Sequence, residues 1–254
     1  AGLACDVVDE IYRLWHEDAD HLRAEFIEKQ PLAKQQMRYK SLFEGNYTAP
    51  NAPERMNGPD DLDGVNRLFY SRGWTDGLPI IPPTPARYEK MLSGTNFDEN
   101  QLLSLIEPRQ GKATVGKVAV NAVMSGCLPE HLPVLVAVAN ALGNSDLNLK
   151  ALNTTTHPCA VLAIISGPIV EEIDINSTYN ALGQGSLANA TIGRAVRSML
   201  LNIGGGTPGI LDRATMGSPA KFSFCFGERA DESPWGETLA MERGFGPDQN
   251  TVTL

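Results

Sequence analysis

Apolar residues at Val7, Ile11, Leu14, Trp15, Leu22 and Phe26 recur near the 3.6-residue period, with acidic and basic residues between them. This pattern predicts an amphipathic helix over 6–29. A second helix is expected from about Leu32 to Phe43, after the break at Pro31. The stretch GNYTAPNAPERMNGPDD then supplies Gly, Asn and Pro at linker density. The chain thus divides into a helical arm over 1–45, a linker over 46–66 and a main domain over 67–254. An arm of this kind must cover apolar surface on its own body or on another subunit, which points to oligomerisation.

In the main domain, Asp98 with Gln101 reads as a capping box ahead of a helix through Leu102, Leu103 and Ile106, stopped by Pro108. Further helices are expected at Gly116–Ser125 and Pro129–Leu142. LPVLVAVANAL is apolar nearly all round and should be buried against a sheet. Ala160–Ile165 is a continuous apolar run bounded by Pro158 and Ser166-Gly167-Pro168, as an interior strand requires. Lys221–Phe226 alternates and reads as another strand, and Thr251–Leu254 as a third. Alternating helices and strands predict a mixed α/β fold, a central sheet with packed helices plus the N-terminal arm. TVTL ends the sequence as an apolar strand, so either the chain continues or this strand pairs with a partner chain.

Composition narrows the function classes. With 254 residues, 42% of them hydrophobic, the chain can bury a substantial core. Its 21 basic and 30 acidic side chains give a net charge of −9, which disfavours nucleic acid and anionic membrane surfaces as partners. No run approaches the roughly 18 apolar residues of a membrane span, and AGLACDVVDE lacks the pattern of a signal peptide. Cys5, Cys127, Cys159 and Cys225 are scattered, without a C-x-x-C pair, which suggests a reducing, cytoplasmic setting. His16 and His21 do not share a helix face, so no metal pair is read, and no motif specifies a cofactor.

Several stretches could carry chemistry. GWTDGLPIIPPTP, Gly73–Pro85, is a turn stiffened by four prolines; it either fixes Trp74, Thr75 and Asp76 at a pocket edge or simply opens the domain. In TTTHPCA, His157 precedes a proline and should be extended, with a partly buried imidazole bonded to threonines such as Thr156. Its roles as acid–base group and as structural side chain both stay open. Cys159 among apolar neighbours reads as an inert thiol. The long polar segment 174–188 leads into a helix from about Ala190 to Asn202 with Asn189 as N-cap. Gly183, Gly185 and Ser186 flank that end, where free amides favour a carboxylate or phosphate, although the spacing is not that of a nucleotide loop. Arg194 leans toward the same end and calls for an anion, either a ligand or Glu171, Glu172 or Asp174, with Arg197 as a second cation. Glu228, in the acidic cluster after KFSFCF, is a candidate catalytic carboxylate or a solvated charge.

GWTDGLPIIPPT, VGKVAVNAVMSGCLPEHLPV, NTTTHP, SGPI, INSTYNALGQGSLANATIGRAVR and FSFCFGERADESPW together resemble a bacterial family of largely unassigned function marked by a DGLP-(I/V)-(I/V)-PPT loop. The resemblance runs from about Gly73 to the end of the chain. It implies relatives that extend further and stand beside small thiol or selenol proteins with a U/C-G-S-C motif. It therefore implies a multi-component enzyme whose reactive thiol comes from the partner. The expectation is a subunit binding a small polar or anionic metabolite, with Asp76, His157 or Glu228 moving protons in lyase, hydrolase or thiol-linked chemistry. The competing expectation is a non-catalytic structural or regulatory subunit.

Overall fold

The computed structural model describes residues 51–254, so the helices expected over 6–29 and 32–43 lie outside the described residues. Residues Pro50–Leu254 form one compact unit. The predicted linker ends inside it. Asn51 accepts at its carbonyl from Thr114 Oγ1 at 2.8 Å, and helix α1 (Leu62–Ser71) begins where Asp61 caps the Gly64 amide.

After α1 and the proline-rich loop, α2 (Pro85–Leu92) starts with Pro at its first position, where no amide partner is lost. Next come β1 (Leu102–Ile106) and β2 (Gly111–Thr114), an antiparallel pair with an irregularity between Leu102 and Ser104. The expected helix at Leu102–Ile106 is thus a strand. Asp98 Oδ1 accepts from the Asn100 amide in a local turn instead of capping a helix, and LLSLI is too short for periodicity to decide without the partner strand GKAT.

Helix α3 (Val115–Ser125) ends at Gly126, whose φ of 90° suits a residue without a Cβ. Helix α4 (Leu132–Ala141), preceded by a short turn at Pro129–His131, is buried on most sides, as its sequence predicts. Then follow α5 (Leu149–Thr154), β3 (Ala163–Ser166), α6 (Ile169–Glu172), α7 (Leu187–Asn202), β4 (Cys225–Gly227), α8 (Leu239–Glu242) and β5 (Thr251–Thr253).

The second sheet has the order β4-β3-β5, with β3 parallel to β4 and antiparallel to β5. The fold is mixed α/β, but its sheets are small and its helices carry most of the core. The terminal strand finds its partner in β3 of the same chain. β3 and β4 begin later than expected. Pro158 precedes a stretch without ladder bonds, and Lys221 closes a short helical turn.

Helices α3 and α7 pack along each other, with α4 against both, around Val118, Ala122, Leu135, Ile192 and Met199. Gly193 is where α7 meets the segment entering β4. A Cβ there would overlap Ser223 Oγ and lie 2.6 Å from the Phe224 backbone nitrogen. We expect Gly193→Ala to destabilise the protein by about 1–3 kcal/mol through overpacking, although alanine is the better helix former. Urea unfolding measures this, and an unchanged or raised midpoint would contradict the close approach.

Candidate functional site

Helix α7 starts at Leu187, earlier than the sequence suggests, and its N-cap is Ser186, whose Oγ accepts from the Asn189 amide at 3.3 Å. Asn189 is therefore not the cap. It sits in the first turn, 2% exposed, and its side chain anchors the polar loop ahead of it. Nδ2 donates to the carbonyls of Asn176 at 2.8 Å and Ala181 at 3.0 Å, while Oδ1 accepts from the Asn176 amide at 2.8 Å and Ser186 Oγ at 2.7 Å. A buried amide with every position satisfied holds a loop in one shape. Gly183 and Gly185 lie in that loop, exposed, and Gly185 has a φ of 117° with open space around it.

The anion that Arg194 calls for is Asp76, not Glu171, Glu172 or Asp174. Arg194 donates from Nε to Oδ2 at 2.7 Å and from Nη2 to Oδ1 at 2.9 Å, and Nη2 also donates to the Pro79 carbonyl at 2.8 Å. The Asp76 side chain is 5% exposed and that of Arg194 17%. This two-pronged pair fastens the Gly73–Pro85 loop along α7. Asn202 Nδ2 adds a bond to the Trp74 carbonyl at 3.1 Å, and Trp74 packs edge-on against Phe69. Thr75 Oγ1 accepts from the Gly77 amide, which closes the turn. Asp76 and Arg194 satisfy each other, so the charge of Arg194 is balanced within the chain.

A different set of candidates converges at the carboxyl ends of the parallel strands β3 and β4. Ser166, 2% exposed, ends β3, and Glu228 follows β4. Ser166 Oγ donates to Glu228 Oε2 at 2.5 Å, and the Leu239 amide donates to Oε1 at 2.7 Å. Beside them, the Gly227 amide donates to the Asn176 carbonyl at 3.2 Å, the same carbonyl that Asn189 holds. Glu228, Asn189, Ser186 and the Gly183–Gly185 loop thereby belong to one neighbourhood. Sequence reading misses two of its members. Ser166 is seen only as strand punctuation, and Asn176 only as part of a polar loop; a hydroxyl at a strand's carboxyl end is the signal that would have marked the first. Ligands in open α/β sheets bind at this end of the strands.

At the opposite, amino ends lie the remaining candidates. His157 is exposed, not partly buried, and its Nδ1 lies 3.2 Å from Thr155 Oγ1. The proline after it keeps the segment extended along the surface, and no carboxylate bonds to the imidazole among the described residues. Exposed Thr156 accepts at its carbonyl from the Thr215 amide at 2.9 Å. Arg197 donates to Asp212, a residue that no local pattern picks out.

The two buried thiols, Cys127 and Cys225, are not poised for chemistry. Burial pushes the Cys127 thiol up to about 12, a rise that a hydrogen bond to the Thr191 carbonyl and the charge of Arg194 only partly offset; burial takes Cys225 to about 12 as well. Both stay protonated at neutral pH, and a thiol rather than a thiolate is a poor nucleophile. Burial also lowers the His131 pKa, and its Nδ1 accepts from the Leu128 amide at 3.2 Å, which fixes the ring as a neutral core group. Among the described residues no three His, Cys, Asp or Glu side chains are grouped as a metal would need, and no helix is long and apolar enough to cross a membrane. Compared with protein-family models, curated proteins and solved structures, the chain matches none of them.

Proposed function

We propose that this chain is a cytoplasmic subunit of a multi-component enzyme that acts on a small polar or anionic metabolite held over the carboxyl ends of β3 and β4, with Glu228 moving the proton. The observation that carries the reading is the 2.5 Å bond from Ser166 to Glu228 at that end of a parallel strand pair, beside the loop anchored by Asn189. A carboxylate has about four lone-pair positions, and Ser166 and the Leu239 amide take two of them. The others remain to accept a substrate proton while the two donors fix the group's orientation. Ser186 and the Gly183–Gly185 loop would contact the metabolite. The protonated state of Cys127 and Cys225 removes these two as reactive thiols, which is compatible with a partner protein supplying one.

The test uses the native assembly. Mass spectrometry under non-denaturing conditions identifies a co-purifying small molecule, which then serves as substrate. Glu228→Gln is expected to retain that molecule while turnover falls by roughly 100-fold or more, the usual worth of a positioned proton donor or acceptor. Turnover at the wild-type rate in the variant would overturn the assignment.

A second reading, a non-catalytic structural or regulatory subunit, is favoured by large apolar side chains left in solvent: Tyr179 is 93% exposed, Met216 92% and Trp235 82%. Side chains of this size at exposed loop positions suit contact with another subunit, in a homo-oligomer or a hetero-complex. Loss of the assembly with Tyr179→Ser or Trp235→Ser, together with full activity in Glu228→Gln, would select this reading over the first.

A further inference from the structure

At the amino ends of β3 and β4, two cations share one carboxylate. Arg197, on the inner face of α7, donates from Nη2 to Asp212 Oδ2 at 2.6 Å. Lys221, in the turn before β4, donates from Nζ to Oδ1 at 2.8 Å and to Oδ2 at 2.7 Å. The Ala214 amide is the third donor and adds a fourth hydrogen bond, to Oδ1 at 3.2 Å. The Asp212 side chain is 6% exposed and each cation 13%. The cluster therefore carries one positive charge in excess in a setting largely withdrawn from water, where an unbalanced charge is costly.

Arg197 spends one of its five N–H groups on Asp212, and among the described residues its Nε and Nη1 have no hydrogen-bond partner. Neither nitrogen is among the fully enclosed atoms that lack a partner, so both keep some access to solvent. Unused guanidinium N–H groups beside an ammonium are donors suited to a tetrahedral or carboxylate oxyanion. The surrounding segment is built around the same residues. Thr215 donates its amide and hydroxyl to the Thr156 carbonyl at 2.9 and 3.3 Å, and Ser218 Oγ donates to the Pro158 carbonyl at 3.4 Å. These bonds tie the stretch carrying Asp212 to the stretch carrying His157.

We propose that Arg197 and Lys221 form a binding site for a small oxyanion, the phosphate or carboxylate group of a metabolite, which completes the charge balance that Asp212 leaves unfinished. The site is separate from Glu228, which lies past the other end of β4, so its failure leaves the preceding reading intact.

The experiment titrates the full chain with inorganic phosphate and, separately, with succinate, by calorimetry at fixed ionic strength. Saturable one-site binding of at least one anion is expected, weakened tenfold or more in Lys221→Met. That variant leaves a balanced Arg197–Asp212 pair, and its folding is checked by circular dichroism. Arg213→Met, an exposed cation on the same segment, controls for bulk charge and should bind as the wild type does. Binding of phosphate alone identifies a phosphorylated ligand; binding of succinate alone identifies a carboxylate. Absence of saturable heat with both anions, or undiminished binding in Lys221→Met, overturns the site.

Discussion

Asp76→Ala is expected to lower the unfolding free energy by about 3–5 kcal/mol, because it strands Arg194 as an unpaired, mostly buried cation. It also takes the Oδ1 acceptor from the Leu78 amide, bonded at 3.1 Å in the wild type. The loss should be local as well as global. With Asp76 gone, the Gly73–Pro85 loop keeps its ties from Asn202 to Trp74, from Asn66 to Ile80 and from the Ile81 amide to Met124, and its centre is left with only the Arg194 bond to the Pro79 carbonyl to hold it to α7. The double variant Asp76→Leu with Arg194→Met should be more stable than Asp76→Ala alone, since an apolar pair leaves no charge without a partner. Urea unfolding of the wild type, Asp76→Ala and the double variant measures this. A single-variant loss below about 0.5 kcal/mol, the range of an ordinary surface change, would mean that the pair does not anchor the loop.

That pair also shows where the sequence is informative and where it is not. The need for an anion beside Arg194 is read from a helix expected to start at about Ala190; the helix starts at Leu187, and it is the burial of Arg194 that makes the anion necessary. The identity of the anion is not legible, because Asp76 lies 118 residues away and only the packing of the proline-rich loop along α7 brings it there. α4 is legible for the opposite reason: LPVLVAVANAL is apolar in every direction, so any fold must bury it. LLSLI suits a helix as well as a strand over so short a window, and GKAT as its partner decides the outcome. Asn189 has the right chemistry for a helix cap but sits three residues inside one, because Ser186 takes the cap and releases its amide to anchor the Asn176 loop. Asp212, in ILDRAT, has no local signal at all; its meaning comes from Arg197 and Lys221, which reach it from a helix and a turn that the sequence does not link.

Asp212→Ala should cost about 3 kcal/mol or more, since it leaves Arg197 and Lys221 facing each other without the carboxylate that holds both. The pH dependence separates this electrostatic account from a packing one. Burial on its own would raise the Asp212 pKa, but the hydrogen bonds from Lys221 and the Ala214 amide and the charge of Arg197 outweigh it and hold the carboxyl below its ordinary value. A depressed folded-state pKa means that the native state releases the proton more readily than the unfolded chain. The contribution is therefore fully present above the unfolded value of about 3.9 and is lost as the pH falls through the folded one. Wild-type stability should fall more steeply than that of Asp212→Asn as the pH drops below about 4, while above about 5 the difference between them should be constant. Asparagine keeps an acceptor for the Ala214 amide but cannot titrate, so it removes the charge without opening a cavity. Unfolding midpoints across pH 3–7 provide the measurement, and parallel profiles for the two proteins would show that Asp212 acts by shape and not by charge.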